Sequence, residues 1–109
     1  MGFTTISPVD DQVIATYPQM DPTQVNRHIF ECEKARTRWA GESFAARARV
    51  LREIAGLLRE ERESLAQLMT REMGKIVGES RAEVDKCAWV CDYYAENAET
   101  FLDPIPVAT

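Results

Sequence analysis

Between Glu72 and Leu102 the chain reads EMGKIVGESRAEVDKCAWVCDYYAENAETFL, and this stretch limits the possible folds more than any other. Gly74 ends one helix. A second begins near Gly78–Ser80, where Ser80 and Glu83 have capping-box spacing. From Glu79 to Leu102 that helix is about 36 Å long. Val84, Cys87, Ala88, Cys91, Tyr94, Ala95, Ala98, Phe101 and Leu102 recur at the spacing that lines one helical face. Trp89, Val90 and Tyr93 widen the apolar side, and Arg81, Asp85, Asp92, Glu96, Glu99 and Asp103 form a polar stripe beside it. So broad an apolar face requires neighbours on two sides.

The C-terminal half of this helix holds Asp92, Glu96, Glu99 and Asp103, with no Lys or Arg after Lys86. The helix dipole disfavours negative charge there by roughly 0.3–1 kcal/mol per group. A solvated acidic face is the ordinary explanation. The alternative is a cation, or a basic segment from elsewhere in the fold, set against this end.

The rest of the chain is organised around that helix. Residues 4–17 form a hairpin, with Ser7-Pro8 opening the turn and Asp10-Asp11 completing it. Val13, Ala15 and Tyr17 alternate with Ile14 and Thr16. Asp21, Pro22 and Gln24 start a helix over 21–40, with Val25, Ile29, Cys32, Ala35 and Trp39 on one face and Gly41 as its stop. Ser43 caps a helical stretch over 43–74, with Phe44, Ala48, Leu51, Ile54, Ala55 and Leu58 inward. Ser64 and Gln67 repeat a capping pattern, which places a bend near Arg62–Ser64. Leu65, Leu68, Met69 and Met73 carry the stretch on to Gly74. The long helix covers 79–102, and Asp103-Pro104-Ile105-Pro106 ends it. Val107-Ala108-Thr109 has the character of a strand beginning. The expected fold is therefore mostly α, a short N-terminal β-hairpin plus about four helices. Two lone strands and a strand-like stub suit part of a larger sheet-containing fold.

Composition narrows the function. A net charge of −5 opposes a nucleic-acid surface, and the arginines between Arg36 and Arg71 are interleaved with glutamates, which implies a solvated, mutually paired surface. No run approaches the ~20 apolar residues of a membrane span. The N-terminal sequence has neither the basic nor the apolar region of a secretory signal. With three cysteines, an odd number, a reducing compartment follows, and cytoplasm is the expected location.

Few residues offer chemistry. Gly2, Gly41, Gly56, Gly74 and Gly78 are too dispersed for a phosphate loop, so no dinucleotide site is expected within the chain. His28 is the only histidine, without a triad motif around it. His28 and Cys32 are four apart on one helix, as are Cys87 and Cys91 on another, which admits a Cys3His metal site or a redox pair. The ordinary alternative is that all three cysteines are small buried hydrophobes. Met69, Met73, Trp39, Trp89, Tyr93 and Tyr94 are expected in the core or an interface.

TREMGK (Thr70–Lys75) followed by EVDKCAWVCDYYAENAETFL (Glu83–Leu102) resembles the N-terminal region of the NAD(P)-dependent aldehyde dehydrogenase superfamily, the succinate-semialdehyde dehydrogenase branch most of all. ISPVDDQVIATYP (Ile6–Pro18) is similar to that family's first hairpin, with Ser7 for its Asn and Asp10-Asp11-Gln12 for its Thr-Gly-Glu. Arg47–Lys75 agrees in order and length, and the likeness runs from about Thr5 to Pro106. It implies the N-terminal part of an α/β fold, whose helices cover a dinucleotide-binding sheet and which continues into oligomerisation strands. It also implies oxidation of an aldehyde to a carboxylic acid through a cysteine thioester, with hydride passing to NAD or NADP. In the family the nucleophilic cysteine, the general-base glutamate and the oxyanion-stabilising asparagine lie beyond the position of Thr109, so no catalytic residue is assigned here. By the same resemblance Glu99 matches an acidic residue that holds a monovalent cation in some members; a solvent-facing glutamate is the alternative.

Three functional classes follow. The first is the scaffold of such a dehydrogenase, inactive and without NAD(P) affinity alone, partnered by the remainder of the enzyme chain or a homo-oligomer. The second is a self-sufficient helical interaction module that binds a partner through its broad apolar faces, and the third a small metal or redox sensor using His28, Cys32, Cys87 and Cys91. The first requires apolar surface left uncovered; the second requires a closed core.

Overall fold

The computed structural model describes residues 2–108. Two antiparallel strands, β1 (Gly2–Ile6) and β2 (Val13–Pro18), precede four helices: α1 (Pro22–Ala40), α2 (Phe44–Glu60), α3 (Arg62–Met73) and α4 (Val77–Leu102). Phe3 pairs with Tyr17, Thr4 with Thr16, and Thr5 with Ala15, but Ile6 pairs with Val13. Ile14 is therefore an extra residue in β2, and the alternation expected over residues 13–17 is interrupted there. The strands also run further than the expected 4–17 hairpin, from Gly2 to Pro18.

In the hairpin turn, Ser7 donates its N–H to Gln12 O at 2.9 Å and Asp11 donates to Ser7 O at 3.0 Å. Asp11 takes a φ of 56°. Asp is among the few residues other than Gly that visit this left-handed region. Asp10 Oδ1 accepts the Gln12 N–H at 3.2 Å, and bonds from Ser7 and from the Gln12 backbone lower the Asp10 pKa.

α1 starts as a capping box, with Gln24 N–H on Asp21 Oδ1 at 2.8 Å and Asp21 N–H on Gln24 Oε1 at 2.9 Å. Gly41 stops it in a right-handed conformation, φ −82°, so the freedom special to glycine is not used there. Every residue of α1 is exposed. α2 is capped by Ser43 Oγ, which accepts from Ala46 N–H at 3.1 Å.

The bend between α2 and α3 falls at Glu61, and the Ser64–Gln67 capping box does not form. Glu61 N–H reaches Leu57 O and Leu65 N–H reaches Glu61 O, so helical bonding continues through the bend. Ser64 Oγ instead donates back to Glu61 O at 3.0 Å, and Gln67 Nε2 donates to Glu63 at 2.8 Å. α3 ends at Gly74, with φ 68°. A Cβ at Gly74 would lie 3.1 Å from Pro8 Cγ, so the hairpin turn leans on this end of α3.

α4 begins at Val77, before the expected start, and the Ser80–Glu83 capping box is also absent. Ser80 lies inside the helix with its N–H on Ile76 O at 3.0 Å. It is fully buried, and its Oγ is 3.0 Å from Thr70 Oγ1 of α3. Burial next to a polar partner, not a terminus, explains this serine.

α2 and α3 both pack on α4. The buried residues are Ala48, Ala55, Ala66, Ser80, Val84 and Ala88, a thin seam of small side chains that lets helix backbones approach closely. Phe44, Leu51 and Leu58 are only half-buried; Ile54, expected inward, is exposed. On α4, Cys87, Tyr94, Phe101 and Leu102 share the apolar face with Val84 and Ala88 but are exposed, because the seam covers only a narrow stripe. Residues 103–108 form no strand; Thr109, the last residue of the expected stub, lies outside the described residues.

Candidate functional site

The helices present far more apolar surface than they bury. Ile29, Phe30 and Trp39 on α1, Leu57 on α2, Leu68 and Met73 on α3, and Trp89, Phe101 and Leu102 on α4 are all exposed, Met73 by 73% and Trp89 by 58%. Trp89, Tyr93, Tyr94 and Phe101 form one aromatic group on α4, with centroids 5.3 to 6.0 Å apart. Leu58, Leu65, Leu68, Met69, Met73, Val84 and Cys87 line an apolar groove over α3 and α4. The accessible surface is 8841 Å², against about 6,100 Å² for a compact monomer of 12.4 kDa. The radius of gyration is 19.2 Å, against about 13 Å for a compact chain of this length. These elements do not close a core of their own.

Ion pairs flank the seam. Arg59 bonds Asp92 at 2.6 Å, Arg62 bonds Asp85 at 2.7 and 2.8 Å, and Arg81 bonds Glu63 twice at 2.8 Å. Lys75 pairs with Glu83. Arg36 pairs locally with Glu33, as a mutually paired surface requires, but Arg59 of α2 and Arg62 of α3 reach across to α4 instead. The Arg81 guanidinium, with help from Gln67, holds the Glu63 carboxyl at about 2, and Arg62 lowers the Asp85 pKa. The basic segment set against the acidic half of α4 is therefore α2. Arg59 meets Asp92, and Arg47 and Arg52 share a hollow with Glu96 and Glu99. Within it the Arg47 guanidinium lies over the Phe44 ring at 4.7 Å.

The sequence-predicted ligands separate. His28 and Cys32 lie on α1, Cys87 and Cys91 on α4, and the helix pairs that pack are α2 with α4, α3 with α4 and α2 with α3. Among the described residues no group of three or more His, Cys, Asp or Glu side chains is placed to hold a metal ion. The Cys3His site is thus overturned by the docking of the helices. The simpler expectation for these cysteines also fails, since Cys32 and Cys87 are exposed and Cys91 is half-buried. Cys32 lies on a helix whose every residue is exposed, and Cys87 sits at the edge of the α3–α4 contact. Glu99 is exposed beside the hollow. Sequence reasoning missed Thr70, the hydroxyl partner of buried Ser80, because only the α3–α4 contact brings the two together.

No helix among the described residues is long and apolar enough to cross a membrane. The profile of the aldehyde dehydrogenase family matches residues 1–107, and the chain belongs to that family. A probable NADP+ succinate-semialdehyde dehydrogenase of Synechocystis sp. is 36% identical over 109 residues, covering all of this chain and 24% of the relative. The succinate-semialdehyde dehydrogenase [NADP(+)] of Deinococcus radiodurans is 33% identical over 96% of the chain and 22% of its own length. Succinic semialdehyde dehydrogenase from Streptococcus pyogenes, solved with NADP+, superposes with a TM-score of 0.91 at 32% identity, over 98% of this chain and 24% of that one. The chain spans about a quarter of the length of the relatives it matches.

Proposed function

We propose that residues 1–109 form the N-terminal helical layer of an NAD(P)-dependent aldehyde dehydrogenase of the succinate-semialdehyde type. In this reading the layer is scaffold. It roofs a dinucleotide-holding sheet carried by the remainder of the enzyme, and the catalytic cysteine, glutamate and asparagine lie in that remainder. The whole enzyme oxidises a short aldehyde, succinate semialdehyde by analogy with the relatives, to its carboxylic acid with NADP+ as hydride acceptor. A homo-oligomer and a cytoplasmic location belong to the same reading. The observation that carries it is the uncovered apolar surface on helices whose sequence resembles this family from end to end. Glu99, at the acidic end of α4, is proposed to hold a monovalent cation once the layer is covered.

The test is a chimera in which residues 2–108 replace the matching quarter of the Synechocystis relative, assayed for NADP+-dependent oxidation of succinate semialdehyde. A soluble, active chimera is the expected result. An inactive one beside an active parent counts against the layer reading. In the active chimera, Glu99→Gln removes any thermal stabilisation by K+ over tetramethylammonium; an unchanged ion effect eliminates the cation role.

A further inference from the structure

We draw no further inference here: the strongest candidate, the apolar face that Val25, Ile29 and Trp39 present along the fully exposed α1, carries nothing because nothing in the structure shows what covers it.

Discussion

Gly74 is the residue where backbone geometry and packing coincide. Its φ of 68° lies in the left-handed region, and a Cβ there would press on Pro8 at 3.1 Å. In the chimera proposed above, Gly74→Ala is expected to destabilise the helical layer by about 1–2 kcal/mol from backbone strain alone, read as a lower thermal midpoint. The same substitution at Gly56, where a Cβ meets nothing within 4 Å, should instead stabilise α2 by about 0.5–1 kcal/mol. Glu63 supplies a second test. Its carboxyl titrates at about 2 against an ordinary 4.5, so its contribution to stability is complete above 4.5 and is lost as pH falls through about 2. Carbon-detected NMR should place the Glu63 midpoint near 2 and return it toward 4.5 in Arg81→Gln; a midpoint unmoved by that change would break the assignment. Local devices of this kind are legible in sequence. Asp21, Pro22 and Gln24 mark the α1 start because every partner lies within four residues. Ser64 and Ser80 mislead for the opposite reason: the bend at Glu61 remains helical, and Thr70, from another helix, claims the Ser80 hydroxyl.

Among the elements, α4 is central because both α2 and α3 dock on it through alanines. Ala55, Ala66 and Ala88 are fully buried, so the helices meet with no room for a longer side chain. In the same chimera, Ala88→Leu is expected to force them apart and cost about 1–3 kcal/mol, measured as a fall in thermal midpoint. An unchanged midpoint would show that the seam is looser than its burial implies. α1 differs in kind. Its sequence defines a helix at both ends, yet which of its faces is covered could not be read from periodicity. Val25, Ile29 and Trp39 have the spacing of a buried stripe and are exposed, as Cys32 is. Periodicity reports the face a helix turns toward a partner; whether that partner lies in the same stretch of chain is a separate matter. Tyr94 and Phe101 on α4 are exposed for the same reason.

At the scale of the whole molecule the deciding quantity is surface. With 8841 Å² accessible at 12.4 kDa, the isolated 109-residue chain is expected to self-associate or to unfold without a sharp transition, and to bind apolar dyes. Light scattering with thermal melts checks this. A monodisperse monomer with a cooperative melt would favour a self-contained module and contradict the layer reading. The ion pairs between the helices have a consequence for assembly. The seam is built from small side chains, with Val84 and the buried Ser80 that meets Thr70 among them, and the charges beside it give a second means of telling one docking from another a turn away. The signs do distinguish them. Arg59 and Arg62 face Asp92 and Asp85, while neighbouring Glu63 faces Arg81, and sliding α4 by one turn would bring Arg81 against Arg62. Alternating polarity thus favours this alignment over its neighbours, modestly because the pairs are solvent-exposed. Exchanging the charges, Glu63→Arg with Arg81→Glu, should preserve that alignment, whereas either change alone sets like against like and lets the long helix drift.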